Sequence, residues 1–249
     1  MTRLQDRVAL VTGGAQGIGS AIVDRLATAG ATVVIGDLRD PGDGREWIEL
    51  DVTSSASVQV CVDGIVERHG SLDIVVNNAG IMFEEDIETH SETSWQKMLD
   101  VNLTGPFLVA KAATPHLKVS KGAIVNVGSI EGFSCNPGHA AYAATKAGVH
   151  GLTAALAVDL GPFGIRANAV APGWIDTELN ASFVERHPDR DEVVRQLAEL
   201  HPVGHIGDPG DVGDVVVWLA SHEARFVTGQ VITIDGGRLS KPPLPGILS

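Results

Sequence analysis

Apolar residues come in short, near-continuous runs separated by longer stretches of helical spacing. Val8–Val11, Thr32–Ile35, Trp47–Leu50, Ile74–Val76, Ala123–Val127, Arg166–Val170 and Val231–Ile234 read as strands. Runs without polar alternation belong to strands covered on both faces. Helices are expected near Ile18–Ala29, Ser57–Arg68, Trp95–Leu117, Ala141–Leu160 and Val212–Ala220. Repeated strand–helix–strand units predict an α/β fold: a Rossmann-type, doubly wound parallel sheet of seven strands with helices on both faces.

One connection breaks the rhythm. Only Leu38 to Arg45 separates the second strand from the third, and it contains Pro41, Gly42 and Gly44. A parallel crossover normally needs a dozen or more residues, usually a helix. A bare loop is expected, with part of one sheet face thinly covered. Residues 176–211 are polar apart from a helical patch near Glu192–Leu200, and read as a lid over the sheet. Residues 1–237 are taken as one catalytic domain, and the proline-containing tail 238–249 as extended.

Composition narrows the function. Acidic residues number 31 against 18 basic ones, a net charge of −13. That disfavours nucleic acid, anionic membranes and acidic carrier proteins as partners. The opening MTRLQDRVALVTGG lacks the apolar run of a secretory signal, and no stretch approaches a span of ~20 apolar residues. Two cysteines, Cys61 and Cys135, make neither a disulfide framework nor a zinc site. His201 and His205 flank a loop without a metal-ligand pattern, so no metal is expected. A soluble cytoplasmic protein is the expectation.

Candidate chemistry lies in two places. Thr12–Gly19 reads TGGAQGIG between a strand and a helix. Glycines permit close backbone approach, and the helix start offers free N–H groups to a pyrophosphate. The glycine spacing departs from the common dinucleotide fingerprint, and a tight turn without ligand fits it too. Asp37 ends the second strand 18 residues beyond Gly19, where a carboxylate would accept from ribose hydroxyls and repel the 2′-phosphate of NADP. Arg39 lies two residues later. Farther on, Tyr142 and Lys146 stand four apart on a helix and share a face. An ammonium beside a phenol favours the phenolate, although the pair alone also fits a half-buried Tyr above a surface Lys.

The ordered set of motifs resembles the short-chain dehydrogenase/reductases up to Gly237. It comprises the TGGAQGIG turn, Asp51–Val52, Asn77–Asn78–Ala79–Gly80, Asn102 in VNLTG, Ser129 in VGSI, the Tyr142–Lys146 pair, Pro172–Gly173 running to Thr177, Thr228–Gly229 and Asp235–Gly236–Gly237. The resemblance implies Tyr142 as general acid/base, with Lys146 holding the nicotinamide ribose and depressing the tyrosine pKa. It implies Ser129 on the substrate oxygen, and Asn102 anchoring a proton-relay water. For the cofactor, NAD, it implies Gly13, Gln16, Gly17, Ile18 and Gly19 around the phosphates and Asp37 on the ribose. Asp51 and Val52 would face the adenine, and Asn78, Ala79 and Gly80 would pass beneath its ribose. Pro172, Gly173, Ile175 and Thr177 would contact the nicotinamide end. The loop after Asp37 departs from the family pattern by removing a wall beside the adenine.

Substrate contacts are expected from Glu131, His139 and Trp174, with Met82, Phe83, Ile130, Phe133 and Cys135 nearby. Glu131 and His139 would grip a hydroxylated or cationic small molecule. The leading expectation is an NAD-linked dehydrogenase of a secondary alcohol. The alternatives are a 3-oxoacyl-carrier-protein reductase, against which Asp37 and the negative charge count, and a dinucleotide-binding regulator without turnover. Apolar residues on the Trp95–Leu117 and Ala141–Leu160 helices exceed what one sheet face can use. In the family such helices form dimer faces, so a homotetramer is expected.

Overall fold

The computed structural model describes residues 3–178, 184–185 and 187–241. Seven parallel strands form one sheet in the order β3-β2-β1-β4-β5-β6-β7. The strands are β1 Val8–Thr12, β2 Thr32–Asp37, β3 Trp47–Glu49, β4 Ile74–Asn77, β5 Ala123–Val127, β6 Arg166–Pro172 and β7 Val231–Ile234. β1, β4 and β5 are buried along their whole length, which explains why their sequences show no polar alternation. The order reverses between β1 and β4, leaving a crevice at the carboxyl ends of the strands where open α/β sheets bind ligands.

Helices cover both faces. α1 (Gly17–Thr28) and α7 (Pro209–Ala220) bury Ile22, Leu26, Val212, Val216 and Leu219 on one side. On the other side α2 (Ser55–His69), α4 (Gly105–Ser120) and α5 (Ala140–Leu160) bury Val58, Ile65, Val109, Leu117 and Leu160. No helix among the described residues is long and apolar enough to cross a membrane.

The β2–β3 connection is a loop, as its glycines and proline require. Two side chains cover the flank that a helix would fill. The Trp47 indole N–H donates to the Asp37 carbonyl at 3.0 Å and the ring packs on the α1 side of the core. Arg45 reaches α1 at Ser20 Oγ (3.0 Å) and pairs with Asp24 (3.4 Å).

The single helix expected over Trp95–Leu117 is two helices. α3 (Glu92–Leu99) passes through a π-helical turn, Asp100–Thr104, into α4. Pro106 in the first turn of α4 has no N–H to donate, and the Gly105 N–H bonds the Asp100 carbonyl five residues back. The polar 176–211 segment contains α6 (Arg190–Glu199). Residues 179–183, 186 and 242–249 of the expected lid and tail lie outside the described residues.

A polar ladder crosses the core beneath the crevice. Asn77 Nδ2 donates to Asn126 Oδ1 at 2.8 Å, Asn126 Nδ2 to Thr153 Oγ1 at 2.9 Å, and Thr153 Oγ1 to the Val149 carbonyl at 2.8 Å. All three side chains are buried, so the ladder fixes α5 against β4 and β5. Removing one member strands its partners in a dry interior. Asn126→Ala is expected to lower unfolding stability by about 2 kcal/mol in urea titrations; a loss below ~0.5 kcal/mol would show the ladder to be idle.

Candidate active site

The glycine turn between β1 and α1 is held by its neighbour on β4. Thr12 Oγ1 accepts from the N–H groups of Asn78 (3.0 Å) and Ala79 (3.1 Å), and Asn78 Nδ2 donates to the carbonyls of Thr12 (3.0 Å) and Gly13 (2.8 Å). Gly13 sits at φ +63° with Ala79 against it, and a Cβ on Gly19 would overlap the Gly13 carbonyl oxygen. The start of α1 is open. Gln16 at the N-cap makes no side-chain cap, and no acidic residue lies in the first turn. α2, α3, α6 and α7 are capped by Ser54, Ser91, Asp189 and Asp208, whereas α4 and α5, like α1, have no side-chain cap. Uncapped N–H groups at the positive end of a helix dipole suit a phosphate.

Asp37 meets this turn from β2. Its Oδ2 accepts from the Ala15 N–H and its Oδ1 from the Arg39 N–H, both at 3.1 Å. Each oxygen keeps a lone pair for a diol hydroxyl. Arg45 is turned elsewhere, onto Asp43 at 2.7 Å. The carboxylate, the open helix start and the glycine cradle together fit a dinucleotide.

The second cluster is built on α5. Lys146 is 5% exposed and donates through Nζ to the Val127 carbonyl at 2.8 Å, two residues before Ser129. Tyr142 lies one turn earlier, its ring centre 5.5 Å from that ammonium. Burial pushes the Tyr142 phenol up to about 12; the Ser129 hydroxyl bonded to it pulls the other way, and the Glu131 carboxylate adds to the rise. Burial brings the Lys146 ammonium down to about 8. The ammonium is expected to lower the phenol; the loss of water outweighs it, and both groups move toward neutrality.

Asn102, in the π-helical turn, uses its amide to hold structure. Oδ1 accepts from the Ile81 N–H at 2.8 Å, and Nδ2 donates to the Ile81 carbonyl at 2.8 Å and to Thr145 Oγ1 at 3.2 Å. Its side chain ties the start of the loop after β4 to α5. Gly80 packs against both Asn102 and Lys146. His150, one turn beyond Lys146, fills the space under the Ser129 loop. It stacks on Phe133 at 4.6 Å, and a Cβ on Gly128 would come within 2.5 Å of its ring.

Known proteins match this arrangement along nearly the whole chain. A family profile described as enoyl-(acyl carrier protein) reductase matches residues 13–238. A trans-4-hydroxycyclohexanecarboxylate dehydrogenase of Sinomonas cyclohexanicum is 38% identical over 94% of this chain and 93% of its own. A 3-oxoacyl-[acyl-carrier-protein] reductase of Thermotoga maritima is 39% identical over 94% and 98%. The ligand-free aldohexose dehydrogenase of Thermoplasma acidophilum superposes with a TM-score of 0.94 at 36% identity, covering 98% of both chains. A gluconate 5-dehydrogenase of Burkholderia cenocepacia, solved with NADP and tartrate, gives 0.89 at 35%, covering 97% and 98%.

The chain belongs to the short-chain dehydrogenase/reductase family.

For this short-chain dehydrogenase/reductase, two expected cofactor contacts have side chains turned into the core. Val52 packs beside α4 and Ile175 is 2% exposed on the α1 side, so only their backbones can reach a ligand. Asp51 folds onto Thr53, with Oδ1 accepting from its N–H (2.9 Å) and hydroxyl (2.7 Å). Pro172 ends β6 and the Gly173 N–H donates to the Ile234 carbonyl at 2.9 Å. Thr177 faces the glycine turn, its methyl 3.8 Å from where a Gly17 Cβ would stand. Glu131 and His139 come together beside Tyr142: His139 Nδ1 donates to Glu131 at 2.8 Å, and its ring lies edge-on to Tyr142 at 6.4 Å. Sequence reasoning missed Asn126, Thr145, Thr153, His150 and Asn136. The Glu84–Asp86 run was a visible signal for an acidic loop over the site.

The lysine gives a pH-dependent prediction. Below about pH 8 the fold carries a buried ammonium that the unfolded chain would hydrate; between about 8 and 10.5 that penalty fades as the folded state gives up its proton first. Lys146→Met is therefore expected to raise unfolding stability at neutral pH, by up to roughly 3 kcal/mol, with the gain vanishing near pH 10.5. Denaturant titrations across that range check the sign; a gain that grows with pH would contradict it.

Proposed function

We propose that this chain is an NAD(H)-dependent oxidoreductase interconverting a secondary alcohol and a ketone, with Tyr142 as general acid/base. The observation that carries this reading is the convergence of Tyr142 and Lys146, one turn apart on α5, with Ser129 from the loop after β5. The nicotinamide ring, when bound, supplies or accepts the hydride. Gly13, Gln16, Gly17, Ile18 and Gly19 hold the phosphates, Asp37 the adenosine ribose, and the Pro172–Thr177 arm the far end of the dinucleotide. Asn78, Ala79 and Gly80 line its middle, and Asp51 offers Oδ2 near the adenine.

The proton chemistry follows from the site. The substrate oxygen lies between the Ser129 and Tyr142 hydroxyls. In reduction, neutral Tyr142 gives its proton to the forming alkoxide while Ser129 donates to the same oxygen. In oxidation, the phenolate takes the alcohol proton. The Lys146 ammonium, held by the Val127 carbonyl, stabilises that phenolate and keeps two N–H groups for the ribose. Burial keeps the phenol neutral until a positive charge arrives beside it, so bound oxidised nicotinamide favours the basic form.

The Asp37 carboxylate supports NAD over NADP. Two unit charges ~4 Å apart at an effective dielectric of ~20 repel by about 4 kcal/mol, and a fraction of that decides the preference. The NADP-bound relative bears on this choice, and the profile description and the Thermotoga relative favour a second reading, a 3-oxoacyl-carrier-protein reductase. Strong NADPH selectivity with turnover of an acyl-carrier substrate would decide for it. Exposed Phe107 on α4 and Val158 on α5 support a homotetramer, which light scattering checks.

Tyr142→Phe is expected to lower kcat by about 100-fold or more while NAD binds within ~2-fold of wild type. Retained turnover would reject the role. Asp37→Ser is expected to move the NAD-to-NADP ratio of kcat/KM toward NADP by at least ~10-fold; an unchanged ratio would remove Asp37 from cofactor choice.

A further inference from the structure

Two loops flank the start of α5: residues 81–90 after β4 and residues 129–139 before the helix. The Glu85 N–H joins them by donating to the Gly138 carbonyl at 3.0 Å. Between them lies a cavity of about 550 Å³ bordered by Glu85, Asp86, Glu88, Asn136 and Gly138, the size of a small-molecule site.

The fixed charges of this rim have one sign. Residues 81–90 carry Glu84, Glu85, Asp86 and Glu88, residues 129–142 carry Glu131, and neither stretch holds a Lys or Arg. The ammonium of Lys97 lies over the Phe83 ring at 5.7 Å, and Lys146 is bound to Val127 below. The Ser94 hydroxyl and then the Ser91 N–H hold the Glu85 carboxyl below its ordinary range. Glu131 is the innermost of the set. Its carboxylate accepts from Asn136 Nδ2 at 3.0 Å, from the Asn136 N–H at 3.4 Å and from His139 Nδ1 at 2.8 Å. His139 Nε2 lies 3.7 Å from Glu84. The Glu131 side chain is 11% exposed, yet its charge is felt at the Tyr142 hydroxyl.

We propose that Glu131 sets the charge class of the substrate, so that neutral and cationic alcohols are accepted and carboxylate-bearing alcohols are refused. This rests on the secondary-alcohol reading above. A substrate whose oxygen lies on Tyr142 and Ser129 has the Glu131 charge beside that oxygen, and Asn136 links Glu131 to the cavity rim. A carboxylate arriving there meets one that cannot rotate away, because three donors from Asn136 and His139 hold it. A hydroxyl or ammonium can instead donate to the lone pairs those bonds leave free. Three relatives are named for carboxylates, trans- and cis-4-hydroxycyclohexanecarboxylate and gluconate; under this proposal the present chain refuses substrates of that kind.

The test compares one ring in three charge states: 4-hydroxycyclohexanecarboxamide, 4-hydroxycyclohexanecarboxylate and 4-aminocyclohexanol. Binding is measured by calorimetry on the Tyr142→Phe protein with NAD, where no turnover intrudes, and oxidation on the wild type by nicotinamide absorbance. The amide and the amine are expected to bind at least ~10-fold more tightly than the carboxylate. Glu131→Gln should reduce that ratio to within ~3-fold. The exposed rim variant Glu88→Gln should reduce it partway, and it keeps the test open if Glu131→Gln fails to fold. A carboxylate that binds as well as the amide, a ratio unmoved by both variants, or failure of all three compounds to bind would overturn the proposal. Charge-selective binding without any reduction of NAD by the wild type would leave it standing and sink the hydride-transfer reading instead.

Discussion

One buried contact organises the site: the Lys146 ammonium on the carbonyl of Val127. It joins the helix that carries Tyr142 to the strand that delivers Ser129 two residues later. The Asn77–Asn126–Thr153 ladder and the Asn102–Thr145 bond dock the same helix at neighbouring levels. Three polar attachments through a dry interface fix α5 in rotation and register, which apolar packing alone does less sharply. A charge buried in this way costs stability, and the cost is tolerated because the same charge faces the phenol.

The site is divided electrically. Inside the crevice lie the open start of α1, Lys146 and hydroxyl donors, all suited to negative charge. At the glycine turn and around the outer cavity lie carboxylates: Asp37 on one side, Glu131 and the Glu84–Glu88 loop on the other. In the proposed reading an anionic dinucleotide would be received at its pyrophosphate and screened at its adenosine end, and the outer carboxylates would act on whatever approaches the reacting carbon.

The strands were readable because burial on both faces leaves uninterrupted apolar runs, and the loop after Asp37 because eight residues with Pro41 and two glycines cannot form a crossover helix. The split between α3 and α4 was hidden. Its cause is Pro106 just inside the second helix, and periodicity carries across a π-helical turn almost undisturbed. Tyr142 and Lys146 are singled out by their spacing and Asp37 by its place at a strand end; the structure sets Tyr142 against Ser129 and Asp37 against the glycine turn. Asn126 and Thr153 could not be singled out, since their partners lie 27 and 49 residues apart in sequence and a lone Asn in a strand reads as its end. Val52 and Ile175 were placed on the ligand by motif alone; the side on which each side chain packs is a tertiary fact. His150 explains the glycines at 128 and 132 only once the helix is seen to lie beneath them.

Tyr142 is the only tyrosine in the chain, so its ionisation can be watched directly through tyrosinate absorbance in the near ultraviolet. Burial pushes that ionisation up to about 12. Titration in saturating NAD is predicted to bring it down by at least ~2 units, as an opposite charge beside a buried phenol requires. A transition at the same pH with and without NAD would contradict the account.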